Sequence, residues 1–485
     1  MNKPNIILIL SDQHRGDWLG CAGNQYVNTP NIDRLAEKGV HFTNTCCSSP
    51  LCGPSRMSML TGRHPYRNGV YINEHTLSSD VPTFLHSLGI AGYETVLCGR
   101  MHFMGLDQRH GFQKRLVGDI CGCYSGGPET ERLPIMECKT GKDCLRTRKK
   151  SIESAGPSNM PKQEFDITVT EAFEKFIKDR KSHDKPLCVV VGYYLPHAPY
   201  CAPREFYEDA LKRMNNTDRP IPLEGSFHPW LAKRTERTQE HKATTEQTRE
   251  VRANYAGMIS YLDTLIGRVL KTAEKLPGET LTIYTSDHGE SAGDHKLFAK
   301  CNFYEEAVKV PLIFAPLKDS VECLSMPAGT KITYPTSLLD ISPTLVELTG
   351  APDLPLYDGV SLAPLLATGK EGLNNNFWKE RSVFSELATT LLPPARMILK
   401  GKYKLVYYHS FKEIQLFDLK HDPNEQNNLA DSSGHEEIRS MLLKELFKGW
   451  DVEWIVKDVK RKMMDLRFME TWGLEVGMGK HVLWK

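Results

Sequence analysis

The chain has 485 residues, and 61 Lys plus Arg against 60 Asp plus Glu leave a formal net charge of +1. With 40% hydrophobic and 25% charged residues, its composition is that of an ordinary globular protein. Such a balance supplies no general field for nucleic acid or an anionic membrane, so any anion has to be held by charges gathered in one site.

In chain order, Asn5–Leu10, Glu94–Cys98, Leu187–Gly192, Leu281–Thr285 and Val310–Phe314 predict buried strands, each a short apolar run closed by polar turn residues. Between them lie helical patterns. The clearest carries Tyr255, Met258, Ile259, Leu262, Leu265, Ile266, Val269 and Leu270 at three- and four-residue steps. Another follows Ser342-Pro343 and stops at Gly350. The alternation predicts an α/β domain with helices on both faces of a sheet. Two charged stretches, 139–163 and 212–249, read as solvated loops or exposed helices. Beyond residue 375 the pattern changes to short strands at 397–399, 404–408 and 415–418, then a helix at about 436–447. This predicts a catalytic α/β domain over 1–375 and a small antiparallel α+β unit over 376–485. A tail carrying Trp450, Trp454, Trp472 and Trp484 is expected to wrap back on the core.

The 13 cysteines show no regular framework. A chain of this length buries a core without disulfides, so reduced thiols and a cytoplasmic location are the expectation. Cys121, Cys123, Cys138 and Cys144 read as loop thiols rather than a zinc site. The Asn5–Leu10 run is too short for a signal segment, and no stretch reaches the ~18 apolar residues of a membrane span.

Ligands of open α/β sheets bind beyond the carboxyl ends of the strands. Four such ends carry chemistry here: Asp12-Gln13-His14, Gly99-Arg100-Met101-His102, Pro196-His197-Ala198-Pro199 and Ser286-Asp287-His288-Gly289. Asp12, Gln13, Asp287 and His288 form an oxygen-rich set with one imidazole, suited to Ca²⁺ or Mg²⁺ and open to Mn²⁺. Elsewhere, Pro54 suits a first helical turn, which sets Cys52 at a helix N-terminus, where amides and the helix dipole favour an anion or an anionic nucleophile.

Cys52-Gly53-Pro54-Ser55-Arg56, running into Leu60-Thr61-Gly62-Arg63, resembles the signature of type I sulfatases in the alkaline phosphatase superfamily. The opening Pro4–Gln13, Ser286–Glu290, Pro196–Pro199, Lys300 with Phe303-Tyr304-Glu305, and Leu416–Leu419 with Asp422-Pro423 are similar to further motifs of that family, so the resemblance spans nearly the whole chain. It implies a large mixed central sheet and a sulfatase. Cys52 would be oxidised to formylglycine by a maturation enzyme, and the aldehyde hydrate would be the nucleophile on sulfur. Asp12, Gln13, Asp287, His288 and the matured Cys52 would hold a divalent metal, Ca²⁺ in first place. Arg56 and Lys300 would hold the sulfate, His102 would act as a base, and His197 would bind sulfate or protonate the leaving alcohol.

One departure is Arg100, where the family usually has lysine: arginine keeps the charge but does not donate its proton. The segment Met101–Phe112 is similar to choline sulfatases, and Asp107 and His110 are candidate substrate contacts. A sulfated carbohydrate is the expected substrate. Choline-type alkyl sulfates, phosphonate or phosphodiester hydrolysis, and a catalytically silent sulfate- or glycan-binding relative are the alternatives.

Overall fold

In the computed structural model, residues 3–119, 148–181, 185–215, 227–318, 326–369, 375–390 and 392–475 are described. An eight-stranded sheet runs in the order Thr330–Ile332, Val40–Phe42, Leu312–Pro316, Thr280–Ser286, Asn5–Ser11, Leu187–Gly192, Glu94–Gly99 and Lys114–Val117. Leu312–Pro316 lies antiparallel to both neighbours and the remaining pairs are parallel, so the sheet is mixed, as expected.

The central strand explains the architecture. Ile6 to Leu10 are all inaccessible to solvent. Because strand side chains alternate faces, Ile6, Leu8 and Leu10 enter one core while Ile7 and Ile9 enter the other. The first core is closed by the helices Cys52–Thr61, Phe84–Ile90 and Ile341–Thr349, and the second by Pro30–Lys38, Pro161–Lys178 and Thr245–Ala273. The last of these starts ten residues before Tyr255. Thr244 caps it: its hydroxyl accepts from Gln247 N at 3.1 Å, and Gln247 Oε1 accepts from Thr244 N at 2.9 Å.

The C-terminal sheet has four antiparallel strands, Ser382–Leu387, Ala395–Lys400, Tyr403–Tyr408 and Gln415–Asp418. The first was not predicted, since Ser382, Ser385 and Glu386 break its apolar run. Val383, Leu387, Met397, Leu399, Val406 and Tyr408 join the first core. Ile398, Leu405 and Leu416 pack on Leu442 and Leu446 of the helix Glu436–Leu446. The tail helix Val452–Glu475 buries Val452, Ile455 and Val459. Met464, Phe468 and Trp472 on it are exposed, and Trp484 lies outside the described residues.

The charged stretch 212–249 is a correction to the sequence reading. Trp230 and Leu231, on the helix Pro229–Thr238, are fully buried, and so is the carboxylate of Glu240. Positions 230, 231, 234 and 235 share one helical face, and the surrounding charges masked it in the sequence. The cysteines at 121, 123, 138 and 144 lie outside the described residues, and no disulfide joins two of the described cysteines. Among the described residues, no helix is long and apolar enough to cross a membrane.

Candidate active site

Strand register assembles the site. Ser11 pairs with Ser286 and Gly99 with Gly192, so the residues that follow emerge together at one edge of the sheet. Asp12 and Asp287 are consequently neighbours. Asp287 Oδ1 accepts the amides of Gln13 at 3.0 Å and His288 at 2.9 Å, which fixes its rotamer. Gln13 takes a left-handed φ of 72°, and its side chain spans two partners, accepting from Lys300 and donating to Glu290.

Cys52 is the first residue of the helix Cys52–Thr61, which ends at Gly62 in the left-handed conformation (φ 66°). All ten helical residues are buried, and the contacts of Cys52 and Arg56 with Asp12, Asp287 and His288 set the helix N-terminus against the strand ends. Cys52 Sγ lies 3.1 Å from His288 Nε2 and 3.7 Å from Asp12 Oδ1. Donor atoms of Asp12, Cys52, Asp287 and His288 all lie within 4.8 Å of one another. His288 Nδ1 faces Gly289 O at 3.0 Å, which leaves Nε2 as its free ligand atom toward the cluster. Two carboxylates and an imidazole converging in this way fit a divalent cation.

Cations surround the cluster. Arg56 is fully buried; its Nε donates to Asp287 at 2.8 Å, Nη2 to Asp12 at 3.2 Å and Nη1 to the Arg100 carbonyl at 3.0 Å. Arg100 Nε donates to Asp12 at 2.5 Å, and its guanidinium lies 4.2 Å over the Tyr194 ring. Burial alone would raise the Asp12 pKa; Arg100, His197, Arg56 and Lys300 together outweigh it and hold the carboxyl well below its usual range. Lys300 Nζ is 2.8 Å from His197 Nε2, and His197 Nδ1 is 2.6 Å from the Ala198 carbonyl. Nδ1 therefore carries the proton and Nε2 accepts from Lys300. Burial first, then the charges of Lys300 and Lys162, hold the His197 pKa well below its ordinary value. For His288, burial and Lys300 act in the same direction and outweigh the two aspartates.

The structure thus brings together Asp12, Gln13, Cys52, Arg56, Arg100, His102, His197, Asp287, His288 and Lys300. His102 enters through the Arg100 Nη2 to His102 Nδ1 contact of 3.0 Å, on a backbone with φ 63°. Asp107 and His110 are engaged with each other instead. Asp107 Oδ1 accepts the His110 amide at 3.0 Å, its Oδ2 lies 3.3 Å from His110 Nδ1, and the His110 ring packs 4.7 Å from Phe103. They form a turn whose contacts do not reach the cluster.

Three contributors escaped sequence reasoning. Asp119 accepts the Met101 amide at 3.1 Å, the His102 amide at 2.7 Å and Arg100 Nη1 at 3.3 Å. It follows the strand Lys114–Val117, so the strand-end rule reaches it once that strand is recognised. Lys162 donates to the Ala198 carbonyl and sits 3.4 Å from His197 Nδ1. Asp166, one turn further along the same helix, accepts the Tyr194 and Leu195 amides at 2.8 Å each. A surface-type lysine and a mid-helix aspartate carry no signal in the sequence.

A family model described as "Sulfatase" matches residues 4–351, and one described as "N-sulphoglucosamine sulphohydrolase, C-terminal" matches residues 293–450. The chain belongs to the sulfatase family. The sulfatase is 35% identical to the "Choline-sulfatase" of Rhizobium meliloti (strain 1021), over 89% of this chain and 83% of that protein. It is 29% identical to the "Arylsulfatase" of Clostridium perfringens, over 92% and 94%. The phosphonate monoester hydrolase of Agrobacterium radiobacter superposes with a TM-score of 0.73 at 23% identity, covering 92% of this chain and 95% of that one. A protein solved with its substrate D-glucosamine-2-N,6-O-disulfate superposes at 0.69 with 22% identity, over 95% and 99%. The sulfatase is a sulfuric ester hydrolase of the alkaline phosphatase fold, and in it Cys52 lies buried beside Arg56, Arg100 and Lys300 at the strand ends.

Proposed function

We propose that this sulfatase hydrolyses a saccharide sulfate to the free alcohol and inorganic sulfate, with Cys52 oxidised to formylglycine by a maturation enzyme and a divalent cation, Ca²⁺ in first place, held by Asp12, Gln13, Asp287 and His288. The observation that carries this reading is the position of Cys52 Sγ, at a buried helix N-terminus and 3.1 Å from His288 Nε2, inside the carboxylate cluster. A thiolate suits a soft metal, whereas two carboxylates suit a hard one; replacing sulfur by the oxygens of a hydrated aldehyde makes the donor set consistent. When bound, the cation supplies charge neutralisation and a lowered pKa for the nucleophilic hydroxyl.

The chain's own groups then divide the work. Arg56, anchored on three acceptors, holds its charge against the sulfate oxygens without side-chain rearrangement. Arg100 contributes charge and orientation, braced by Asp12 and Asp119, and keeps its protons. The proton for the departing alkoxide is carried by the Lys300–His197 pair, since neutral His197 already accepts from the Lys300 ammonium. His102, set by Asp119, acts as the base that collapses the sulfated intermediate. Lys162 and Lys300, flanking His197 at 3.4 and 2.8 Å, surround the leaving oxygen with positive charge, which favours a neutral or anionic sugar over a quaternary ammonium alcohol. A second reading, choline sulfate, is favoured by the 35% identity to a choline-sulfatase.

A turnover screen, following sulfate release from sulfated sugars and choline sulfate and alcohol release from a phosphonate monoester, tests the assignment on protein co-expressed with a formylglycine-generating enzyme and checked by intact mass. The expected result is an aldehyde at residue 52, turnover of a sulfated sugar, and none by Cys52→Ala. Faster turnover of choline sulfate replaces the saccharide reading with the second one. Faster phosphonate turnover overturns the sulfatase assignment of the site, and an unconverted thiol without activity favours the silent binding relative.

A further inference from the structure

Lys300 sits in a segment whose backbone polar groups are held from several sides. The Phe298 amide donates to Glu240 at 3.1 Å, and the Phe298 carbonyl accepts from Arg234 Nη2 at 3.1 Å. The Ala299 amide donates to Glu290 at 2.5 Å, and the Lys300 carbonyl accepts from Arg148 Nη2 at 3.1 Å. The Cys301 amide donates to the Pro50 carbonyl at 3.2 Å, two residues before Cys52, and the Cys301 carbonyl accepts from Arg234 Nη1 at 3.2 Å. The three distal side chains are themselves joined: Glu240 lies 2.9 Å from Arg234 Nη2 and 3.3 Å from Arg148 Nη1.

This bracing has a conformational reason. Ala299 and Cys301, the residues on either side of Lys300, take left-handed φ values of 57° and 70°. Non-glycine residues adopt that region at a cost, and persist there only where the surroundings over-determine the backbone. The source of the bracing is unexpected from the sequence, because Arg234 and Glu240 belong to the charged stretch that read as solvated. Arg234 shares the buried helical face of Trp230, and Gln239, left-handed at φ 55°, ends that helix and turns Glu240 back against Arg234.

We propose that Arg234, Glu240 and Arg148 are positioning residues for the sulfatase reaction, locking the Phe298–Cys301 backbone so that Lys300 Nζ is delivered between Gln13 and His197. The proposal rests on the reading of Lys300 as a sulfate-site cation. None of the three touches the cluster; Arg148 acts through the Lys300 carbonyl, and Arg234 and Glu240 through the main chain of Phe298 and Cys301 on either side of it. Glu240 is the hub: its one carboxylate joins two guanidiniums that between them hold three carbonyls, and it accepts an amide itself. Removing its charge leaves the buried Arg234 guanidinium and the half-buried Arg148 guanidinium to separate, which releases the turn without removing any group of the cluster.

The test is a double-mutant cycle between Glu240→Gln and Lys300→Ala, with Arg234→Met as the second clamp variant, in matured enzyme loaded with Ca²⁺. Two readouts are taken: kcat/KM on p-nitrophenyl sulfate, and inorganic sulfate affinity by calorimetry, which needs no turnover. Each clamp variant is expected to lower kcat/KM by about 10- to 100-fold, the scale of a misplaced catalytic group, and to weaken sulfate binding. In the Lys300→Ala background the same changes are expected to alter either readout less than about two-fold, because the group they position is gone. Equal losses in both backgrounds, or wild-type values for both clamp variants, overturn the positioning role. Wild-type sulfate affinity and kcat/KM for Lys300→Ala alone would instead overturn the reading of Lys300, and the inference with it.

Discussion

Replacing Arg56 by methionine tests how two buried carboxylates are tolerated so close together. The guanidinium is fully buried and contacts Asp287 at 2.8 Å and Asp12 at 3.2 Å. Methionine fills much of the same volume but leaves Asp287 Oδ2 without its cation, while Oδ1 keeps the amides of Gln13 and His288. Asp12 retains Arg100 at 2.5 Å. Breaking a buried ion pair from one side costs about 3–5 kcal/mol, and the remaining partners place this variant near the lower figure. In a chelator, urea titration at neutral pH is therefore expected to show a loss of about 3 kcal/mol. In millimolar Ca²⁺ the deficit is expected to fall by at least half, because a divalent cation supplies the missing charge and binds the folded state alone. Acid provides a check of sign. A carboxyl with a depressed folded pKa contributes stability above its ordinary value near 3.8, and that stability is lost as pH falls through the folded value. Arg56 is one of the cations holding Asp12 down, so the gap between variant and wild type should narrow below about pH 4. A chelator-state loss under about 1 kcal/mol, or a deficit indifferent to Ca²⁺, would refute the account of Arg56 as a counter-charge of the Asp12–Asp287 pair.

Two further outcomes follow from residues outside that cluster. Asp119→Asn keeps one oxygen for the amides of Met101 and His102 but removes the charge facing Arg100; kcat/KM on p-nitrophenyl sulfate should fall about tenfold, and an unchanged value would separate this carboxylate from His102 positioning. Burial lifts the Asp166 pKa to about 7, against amide hydrogen bonds from Tyr194 and Leu195 that lower it. A raised carboxyl holds its proton in the folded state while the unfolded chain releases it, so this group's contribution declines as pH climbs from about 4 to 7. Asp166→Asn should flatten the stability–pH curve there by up to about 1.4 kcal/mol per pH unit, read by urea titration at pH 5 and 7, and an unaltered slope would sink the argument.

Much of this protein was legible in its residues because the relevant signals are local. A run such as Asn5–Leu10 is apolar on both faces, which only a doubly covered strand accommodates, and the polar residues after each such run mark the end where ligands bind. Cys52, Pro54 and Gly62 delimit a helix through backbone preferences that act within a few residues. The motif around Cys52, with the strand-end pairs Asp12-Gln13 and Asp287-His288, therefore pointed from the sequence alone to residues that the fold gathers in one buried cluster. The tertiary structure decided what depends on who meets whom. Register set Asp12 beside Asp287, although the two follow strands far apart in the chain. Packing turned a stretch rich in charge into the buried Arg234–Glu240 pair behind Lys300. The physical reason is the same in each case: hydrophobic periodicity and turn preference are properties of neighbours along the chain, whereas the fate of a charge depends on counter-charges and carbonyls brought from far away in it.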